Sequence, residues 1–283
     1  MELMRVITAT EAAPGRPNED QVFHHGALVG VLDGVSAHPD LDTGCAHGPA
    51  WYTRRLVARL SEAADAALAA TLPDLLATAI ERVAREHPGC DLANPSTPAA
   101  TACLVRDTGT ELEYLVLCDS PLVADVGAET FAVVDDRFDR VYEQIRREAL
   151  AGDVSVGSAV HRARQLTAAL RKQELTNTPG GYWVAAADPA AAAQAVTGRL
   201  PLRGPRAIRR AALLTDGASC AVDLFGLYDW AGLLDVLTAD GPVELIRQVR
   251  QAETADADGY SRPRHKRHDD ATVALCLFDP APR

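Results

Sequence analysis

The stretch Val29-Gly30-Val31-Leu32-Asp33-Gly34 decides the fold of this chain. Its apolar, β-branched run predicts a buried strand, and the Asp-Gly pair predicts a turn that leaves a carboxylate at the strand's end. Residues 211–217 repeat the pattern, because Ala-Ala-Leu-Leu-Thr is followed by Asp216 and Gly217. Taken singly, each pair is most simply a turn, since Asp and Gly are common turn residues. Their repetition in distant parts of the chain points to a shared site.

Further acidic sites lie beside other predicted strands. Asn18-Glu19-Asp20 precedes a strand over residues 21–24, Asp119 follows a strand over 113–118, and Asp269-Asp270 precedes a strand over 271–278. Acidic residues so far apart in the sequence can meet only where central sheets bring strand ends together. Oxygen ligands without Cys or His select hard ions. The sequence therefore predicts a Mg²⁺ or Mn²⁺ site.

Composition limits the other possibilities. The 283 residues, 47% of them hydrophobic, provide ample chain for a core, and no clean divider interrupts a single predicted domain over 1–283. A net charge of -11 argues against a nucleic-acid or anionic-membrane partner, and the basic run at 262–268 is more typical of a solvated loop. With no apolar stretch of about 20 residues and no signal-peptide pattern at the N-terminus, we expect a cytoplasmic protein.

The six cysteines are dispersed and show no CxxC spacing. This pattern predicts reduced, buried, apolar side chains rather than disulfides or a zinc site. His38 and His47 are predicted to be ordinary loop residues. The cysteines are Cys45, Cys90, Cys103, Cys118, Cys220 and Cys276.

The predicted elements do not alternate as they would in a parallel α/β fold, so an α+β layered domain with antiparallel sheets is expected. Strands are predicted over 5–10, 21–24, 27–32, 99–105, 113–118, 122–126, 130–134, 182–186, about 194–198, 211–215 and 271–278. Helices are predicted over 51–70, 73–83, within 137–174, after Asp188-Pro189, and over 230–237 and 242–253. The intervening segments 176–181 and 254–268 are predicted to be surface loops.

In order and spacing, the acidic motifs resemble those of the PPM (protein phosphatase 2C-like) family of metal-dependent serine/threonine phosphatases. Each motif alone is weak, but their order across nearly the whole chain is a strong signal. The resemblance implies a layered αββα fold, a central antiparallel β-sandwich flanked by helices, with 137–182 as a variable helical and flap segment. The matching motifs are Asn18-Glu19-Asp20, Val31-Leu32-Asp33-Gly34, Cys118-Asp119-Ser120, Leu214-Thr215-Asp216-Gly217 and Asp269-Asp270-Ala271-Thr272.

The resemblance also implies roles for individual residues. Asp33 would bridge two Mn²⁺ or Mg²⁺ ions, with the Gly34 carbonyl on one of them, and Asp33 and Asp216 would be central to catalysis. Asp216 and Asp269 would bind the first metal, and Glu19 and Asp20 would bind the second, directly or through its waters. Asp119 would bind a third metal where one is present. Arg16 would bind the substrate phosphate.

The implied reaction is hydrolysis of phosphoserine or phosphothreonine in a protein substrate by a metal-activated water, without a covalent intermediate. Two alternatives remain open. One is a catalytically impaired PPM fold that binds or regulates, a pseudophosphatase, and the other is a phosphatase of small phosphorylated molecules. No pattern in the sequence specifies an oligomeric state.

Four departures from the family pattern bear on these roles. Arg16 lies four positions before Asp20, where the family has five. Val35 stands where many members have a His that can protonate the leaving group, which predicts a preference for leaving groups that need little protonation. Residues 99–102, Ala-Ala-Thr-Ala, replace Gly-Thr-Thr-Ala. Asp270 replaces an Asn, and its added negative charge is expected to tighten metal binding or raise a neighbouring carboxyl pKa.

Overall fold

A computed structural model of the chain describes residues 4–150, 158–264 and 266–278. Ten strands form two five-stranded sheets in which all neighbouring strands pair antiparallel. The strands are β1 (Arg5–Glu11), β2 (Gln21–His25), β3 (Leu28–Val35), β4 (Ala99–Asp107), β5 (Glu111–Leu117), β6 (Leu122–Val126), β7 (Glu129–Val133), β8 (Val196–Pro201), β9 (Arg210–Leu214) and β10 (Ala271–Leu277).

The two sheets pack face to face. One has the order β1-β10-β9-β6-β7 and the other β2-β3-β4-β5-β8. Between them lies an apolar core, in which Val29 and Val31 of β3 and Cys103 of β4 pack with Leu213 of β9 and Cys276 of β10. The opposite faces of the central strands are buried as well, so β3 and β4 are apolar on both sides.

Helices cover both outer faces. α1 (Pro49–Ala66) and α2 (Leu72–Ala84) pack on the β3 and β4 side, while α5 (Asp216–Asp223), α6 (Trp230–Ala239) and α7 (Pro242–Ala255) pack on the β9 and β10 side. The predicted layered αββα architecture is confirmed. α3 (Arg137–Leu150) and α4 (Ala159–Leu175) contact each other, and a 3-10 helix spans Pro189–Gln194. Within the described ranges, no helix is long and apolar enough to cross a bilayer.

Antiparallel pairing explains how distant acidic residues meet. The C-terminal end of β3 lies beside the N-terminal end of β2, and the C-terminal end of β9 lies beside the N-terminal end of β10. The residues that precede β2 and β10 and those at the ends of β3 and β9 therefore share one end of the sandwich. This end carries the acidic motifs.

Several local predictions were wrong. Asp33 and Gly34 do not turn the chain, because β3 continues through them to Val35 with Asp33 opposite Thr101. Asp216 begins helix α5, which the sequence patterns did not predict. Residues 182–186 form only isolated bridges, Thr176 with Tyr182 and Ala100 with Ala185. In the helical run predicted over 137–174, residues 151–157 lie outside the described part.

The predicted surface loop over 254–268 is also partly buried. Arg264 is only 8% exposed, and its guanidinium donates hydrogen bonds to the Asp256 carboxylate and to the backbone carbonyl oxygens of Glu253 and Asp256. The loop is thereby tied to the end of α7. The basic residues at 262–268 are consequently not all solvated, and Lys266 reaches the acidic end of the sandwich.

Candidate metal centre

The five aspartates that the sequence predicted as metal ligands meet at one cleft of about 1260 Å³ at the end of the sandwich, which Asp139 and Asp223 also line. Asp33, Asp119, Asp216 and Asp269 line it, and Asp20 lies buried next to Asp216. They come from the end of β3, the loop after β5, the start of α5, and the residues before β10 and β2. The structure thus brings together all the aspartates for which the sequence predicted a metal.

The carboxyl groups of Asp33 and Asp216 both line the cleft and influence each other's pKa. Burial raises the pKa of Asp33 well above its ordinary value, and the neighbouring negative charges of Asp216, Asp20 and Asp269 raise it further. Burial and the nearby Asp119 likewise raise the pKa of Asp216. Protonation of Asp33 would relieve this repulsion in the absence of a cation.

Asp20 is 1% exposed and has one satisfied oxygen. Its Oδ2 accepts a hydrogen bond from Thr215 Oγ1 at 2.8 Å, whereas Oδ1 is buried without a hydrogen-bond partner among the described residues. Burial raises the pKa of Asp20 to about 8, against the lowering effect of hydrogen bonds from Thr272 and Thr215. A buried carboxylate oxygen without a partner is costly unless a cation binds it.

Asp269 lies next to a cation that the chain itself supplies. Lys266 Nζ donates to Asp269 Oδ1 at 2.9 Å and lies 3.4 Å from Ser36 Oγ. Burial raises the pKa of Asp269 to about 6, although Lys266 opposes the shift. Burial disfavours the charged ammonium of Lys266, but Asp269, Asp216 and Asp33 outweigh this effect and raise its pKa.

Asp119 lies on the other side of Asp216. It follows Cys118, which has a left-handed backbone (φ 67°), so the chain bends sharply after β5. Burial raises the pKa of Asp119. The positive charge of Lys172 on α4 partly offsets this rise. Because Asp119 contributes to the raised pKa of Asp216, the two carboxyls are electrostatically coupled.

Glu19 lies at the edge of this group. Its Oε2 accepts a hydrogen bond from Ser36 Oγ, and its backbone carbonyl accepts one from Thr53 Oγ1 at 2.9 Å. The second contact ties the acidic loop to α1. Glu19 is thus positioned beside the residues that follow Gly34 in the chain.

The glycines of both Asp-Gly pairs allow close backbone approach. A Cβ on Gly34 would lie 2.7 Å from the Glu19 carbonyl oxygen, and a Cβ on Gly217 would lie 1.9 Å from the Asp270 carbonyl oxygen. Neither glycine has a positive φ. Neither Asp-Gly pair therefore forms a turn. Each glycine instead leaves room for the backbone of an acidic loop to pass close by.

Asp270 holds the acidic loop in place. Its Oδ1 accepts a hydrogen bond from Ala13 N at 2.7 Å, and its Oδ2 accepts one from Glu19 N at 2.6 Å. An Asn could accept only one of these, because its amide nitrogen is a donor. The negative charge of Asp270 also contributes to the raised pKa of Asp20. This effect on a neighbouring carboxyl was predicted from the replacement of the family's Asn by Asp270.

Arg16 is exposed and lies on the wall of the cleft. The residues before it form a turn in which Arg16 N donates to Ala13 O at 3.2 Å and Gly15 has φ 77°, as in a type II turn. Val35 and His38 also line the cleft, and His38 Nδ1 accepts a hydrogen bond from Asp40 N at 3.2 Å.

Sequence reasoning missed two features of the cleft. Lys266 was assigned to a solvated basic run, although its position three residues before Asp269 was a usable signal. Phe138, Lys172 and Tyr182 add a wall from α3, α4 and the following segment. Nothing in the sequence indicated which faces of these helices would meet the cleft.

The residues present fit a hard divalent cation. The donors are carboxylate oxygens, two of which, Asp20 Oδ1 and Asp216 Oδ1, are buried without a hydrogen-bond partner in the described part of the chain. The pKa values of all five aspartates are raised, and the largest cause in each case is burial of the carboxyl group away from water. A divalent cation would compensate the negative charge of the ionised carboxylates.

At the level of sequence, no protein-family model and no curated protein matches this chain. Its structure is similar to that of the PPM Ser-Thr phosphatase MsPP from Mycobacterium smegmatis, solved with cacodylate, at 19% identity and a TM-score of 0.57 over 99% of this chain and 100% of that one. The structure is also similar to that of the serine/threonine phosphatase Stp1 from Staphylococcus aureus. The sequence identity is 14% and the TM-score is 0.56, over 99% of this chain and 98% of that one.

A third similar structure is the catalytic domain of the serine/threonine protein phosphatase PstP in complex with two manganese ions. It is 15% identical, with a TM-score of 0.54 over 97% of both chains. The chain therefore has the fold of the PPM serine/threonine phosphatases, and the resemblance in its motifs is confirmed at the level of the fold.

Proposed function

We propose that this chain is a metal-dependent phosphatase that hydrolyses phosphoserine or phosphothreonine in protein substrates. The observation that carries the proposal is the group of buried aspartates at the base of an open cleft, with unpartnered oxygens on Asp20 and Asp216 among the described residues. The PPM fold and the order of the motifs support it. The manganese ions bound by PstP make Mn²⁺ or Mg²⁺ the expected cofactor.

Asp33, Asp216 and Asp269 would hold the first metal, and Asp33, the Gly34 carbonyl, Asp20 and Glu19 the second. Asp119 is the candidate for a third. When bound, the metals supply a nucleophilic water at neutral pH and neutralise charge on the phosphoryl group.

The chain's own residues supply positioning. Thr215 donates to Asp20, and Asp270 holds the backbone of Glu19, so the second-metal ligands have fixed orientations. Arg16 on the cleft wall would bind the substrate phosphate as a charge-assisted donor. Val35 has no ionisable group, so the leaving group would have to be protonated by water or by His38. Aryl phosphates should therefore be better substrates than phosphothreonine, because their leaving groups need less protonation.

A second candidate function has its own supporting observation. Lys266 donates directly to Asp269 and places an ammonium beside two further proposed ligands, Asp216 and Asp33. A lysine in this place can substitute for part of the charge of a metal. The PPM fold would then act as a binding or regulatory module with weak metal affinity, a pseudophosphatase.

One experiment separates these candidates. We would measure hydrolysis of para-nitrophenyl phosphate, a phosphothreonine peptide and a set of small phosphorylated metabolites with Mn²⁺, Mg²⁺ or EDTA, for the wild type and for Asp33→Asn and Asp216→Asn. Asp258→Asn is the matched control, because that exposed carboxylate pairs only with Arg267 at 3.5 Å in the described structure.

Peptide hydrolysis that requires the metal, persists in Asp258→Asn and is lost in both cluster variants would support the proposal. Activity on metabolites alone would redirect it to small substrates. An inactive wild type that also fails to bind Mn²⁺ in calorimetry would favour the pseudophosphatase.

A further inference from the structure

Two loops contact each other near the start of α1. One follows β3 and leads into α1, and the other connects α2 to β4. Asp91 N donates to Gly44 O at 2.8 Å, and Asn94 Nδ2 donates to Asp42 O at 3.1 Å. Each loop brings a cysteine and a histidine to this junction: Cys45 and His47 from the first, His87 and Cys90 from the second.

Three of these side chains already surround one point. The Sγ atoms of Cys45 and Cys90 and a ring nitrogen of His47 all lie within 4.8 Å of one another, and all three residues are half-buried. His47 Nδ1 is 3.5 Å from Cys45 Sγ and 3.7 Å from Cys90 Sγ. Both sulfurs are free thiols. A neutral imidazole carries one N–H hydrogen at most, so it cannot direct a full hydrogen bond to both.

The distances fit the edges of a zinc tetrahedron. With Zn–S about 2.3 Å and Zn–N about 2.05 Å, tetrahedral angles give an S···N edge of about 3.6 Å and an S···S edge of about 3.8 Å. The two observed S···N distances bracket the first value. His47 N also donates a hydrogen bond to Cys45 Sγ at 3.3 Å.

His87 is the fourth candidate ligand, although its nitrogens lie outside the group of three ligand atoms that are within 4.8 Å of one another. It is 6% exposed, its Nδ1 lies 2.9 Å from Val83 O, and its Nε2 is buried without a hydrogen-bond partner among the described residues. Donation from Nδ1 to a carbonyl fixes the tautomer in which Nε2 carries a lone pair, as in most metal-ligating histidines. The His87 and His47 rings are in edge-on contact, with centroids 5.0 Å apart.

The backbone between His87 and Cys90 has the geometry that brings two side chains to one ion. His87-Pro88-Gly89-Cys90 is a tight turn, in which Cys90 N donates to His87 O at 3.3 Å and Gly89 has φ 84°. Pro and a left-handed Gly at the central positions indicate a type II turn. The two-residue spacing matches the short ligand pairs of structural zinc sites.

We propose that Cys45, His47 and Cys90 form a structural Zn²⁺ site that joins these two loops, with His87 Nε2 as the fourth ligand after its ring moves toward the ion. Two thiolates and two neutral imidazoles balance the charge of Zn²⁺, and sulfur ligands select it over the hard ions suited to the aspartate cluster. The site is separate from the proposed phosphatase centre and does not depend on its activity.

Packing alone does not account for the arrangement. Trp51 stacks on His47 with centroids 4.1 Å apart and meets His87 edge-on at 4.7 Å, which explains the placement of the rings. It does not explain two thiols at one nitrogen or a buried Nε2 without a partner. The first loop begins with Ser36, Ala37 and His38, which line the cleft, so zinc would hold that wall of the cleft in place.

The test measures metal binding, not phosphatase activity. Full-length chain is purified under reducing conditions, zinc is quantified by elemental analysis, and Co²⁺ is titrated into the metal-free protein. We expect one tightly bound zinc per chain. Cobalt should give the intense visible absorption of a tetrahedral site and a thiolate-to-cobalt charge-transfer band, which the carboxylate cluster cannot produce.

Variants assign the ligands. Cys45→Ser and Cys90→Ser should abolish the charge-transfer spectrum or reduce its intensity, and each should weaken zinc affinity by more than the 10- to 100-fold typical of an outer-shell change. His87→Ala should weaken it similarly. Cys103→Ala, at a buried cysteine between the sheets, is the matched control and should retain zinc with wild-type affinity.

Three results would overturn the proposal. The first is that wild-type protein with its thiols reduced binds no zinc. The second is that zinc binding is unchanged in the Cys45 and Cys90 variants. The third is that Cys45 and Cys90 form a disulfide quantitatively and bind no metal. Unchanged affinity in His87→Ala would remove His87 from the ligand set. Thermal unfolding with and without a chelator provides a second readout, because only a chain with the intact site should lose stability when zinc is removed.

Discussion

Lys266 Nζ lies 2.9 Å from Asp269 Oδ1, so an ammonium group of the chain itself occupies the carboxylate cluster at the end of the sandwich. Its raised pKa keeps it charged throughout the physiological range. Asp269 is also one of the proposed ligands of the first metal. Lysine and metal therefore compete for the negative charge of the cluster.

Replacing this lysine should strengthen metal binding. Lys266→Gln retains much of the side-chain length and removes the charge. Because a hydrogen bond to a charged group contributes about 1.5–3 kcal/mol, we expect Mn²⁺ affinity to rise about tenfold or more in calorimetric titration. Arg262→Gln is the control, since Arg262 is exposed and is not among the residues that line the cleft. Equal or weaker Mn²⁺ binding in Lys266→Gln would show that the lysine does not compete with the metal.

Metal binding should strengthen as the pH rises from about 5.5 to 8.5. The metal-free protein has a pKa of about 8 at Asp20 and about 6 at Asp269, and the ligands must be deprotonated to bind. At pH 7 Asp20 is mostly protonated, and the raised pKa of Asp33 adds to this effect, so Mn²⁺ binding should release one proton or more. Calorimetry in buffers of different ionisation enthalpy measures this release. Asp20→Asn should reduce the pH dependence, and a flat profile in the wild type would contradict the prediction.

The same groups predict how stability depends on pH. Both pKa values lie above the ordinary Asp value of 3.8, so the folded chain binds more protons than the unfolded chain between about pH 4 and pH 8. The free energy of unfolding of the metal-free protein should therefore fall as the pH rises through this window. Mn²⁺ should raise the melting temperature more at pH 8 than at pH 5.5, and an equal rise would argue against binding at these carboxylates.

Asp270→Asn should destabilise the fold even though Asn is the residue expected from the family pattern. Both carboxylate oxygens accept backbone N–H donors, from Ala13 and Glu19, and an amide nitrogen would face one of them. Leaving a buried donor unsatisfied costs about 1–3 kcal/mol. Urea unfolding measures the change. The exposed control Asp258→Asn should stay within about 0.5 kcal/mol of the wild type.

Gly217→Ala should destabilise, although Gly→Ala in a helix ordinarily stabilises by about 1 kcal/mol. The new Cβ would lie 1.9 Å from Asp270 O, which forces the backbone beside Asp269 to move and costs about 1–3 kcal/mol. Gly232→Ala in α6 is the matched control, because its Cβ would have no contact closer than 3.3 Å. A stabilised Gly217→Ala in urea unfolding would contradict the close approach seen here.

Much of the fold was predictable from the sequence. The apolar runs that became β3, β4, β9 and β10 are dominated by burial on both faces, so their pattern is strong and their positions were predicted within a few residues. Residues 182–186 have a similar pattern but form only isolated bridges. An apolar run indicates that a segment is buried, but a buried segment need not be a strand of a sheet.

The sequence by itself determined that acidic residues would gather at the ends of strands, because antiparallel pairing leaves few other ways to bring such distant motifs together. Only the tertiary structure decided what surrounds them. Lys266 contacts Asp269, Asp270 binds two backbone amides, and Cys45 meets Cys90, each through loops whose paths depend on packing across the molecule. Local patterns encode which face of an element is buried, whereas contacts between loops are fixed only when the sheets and helices have assembled.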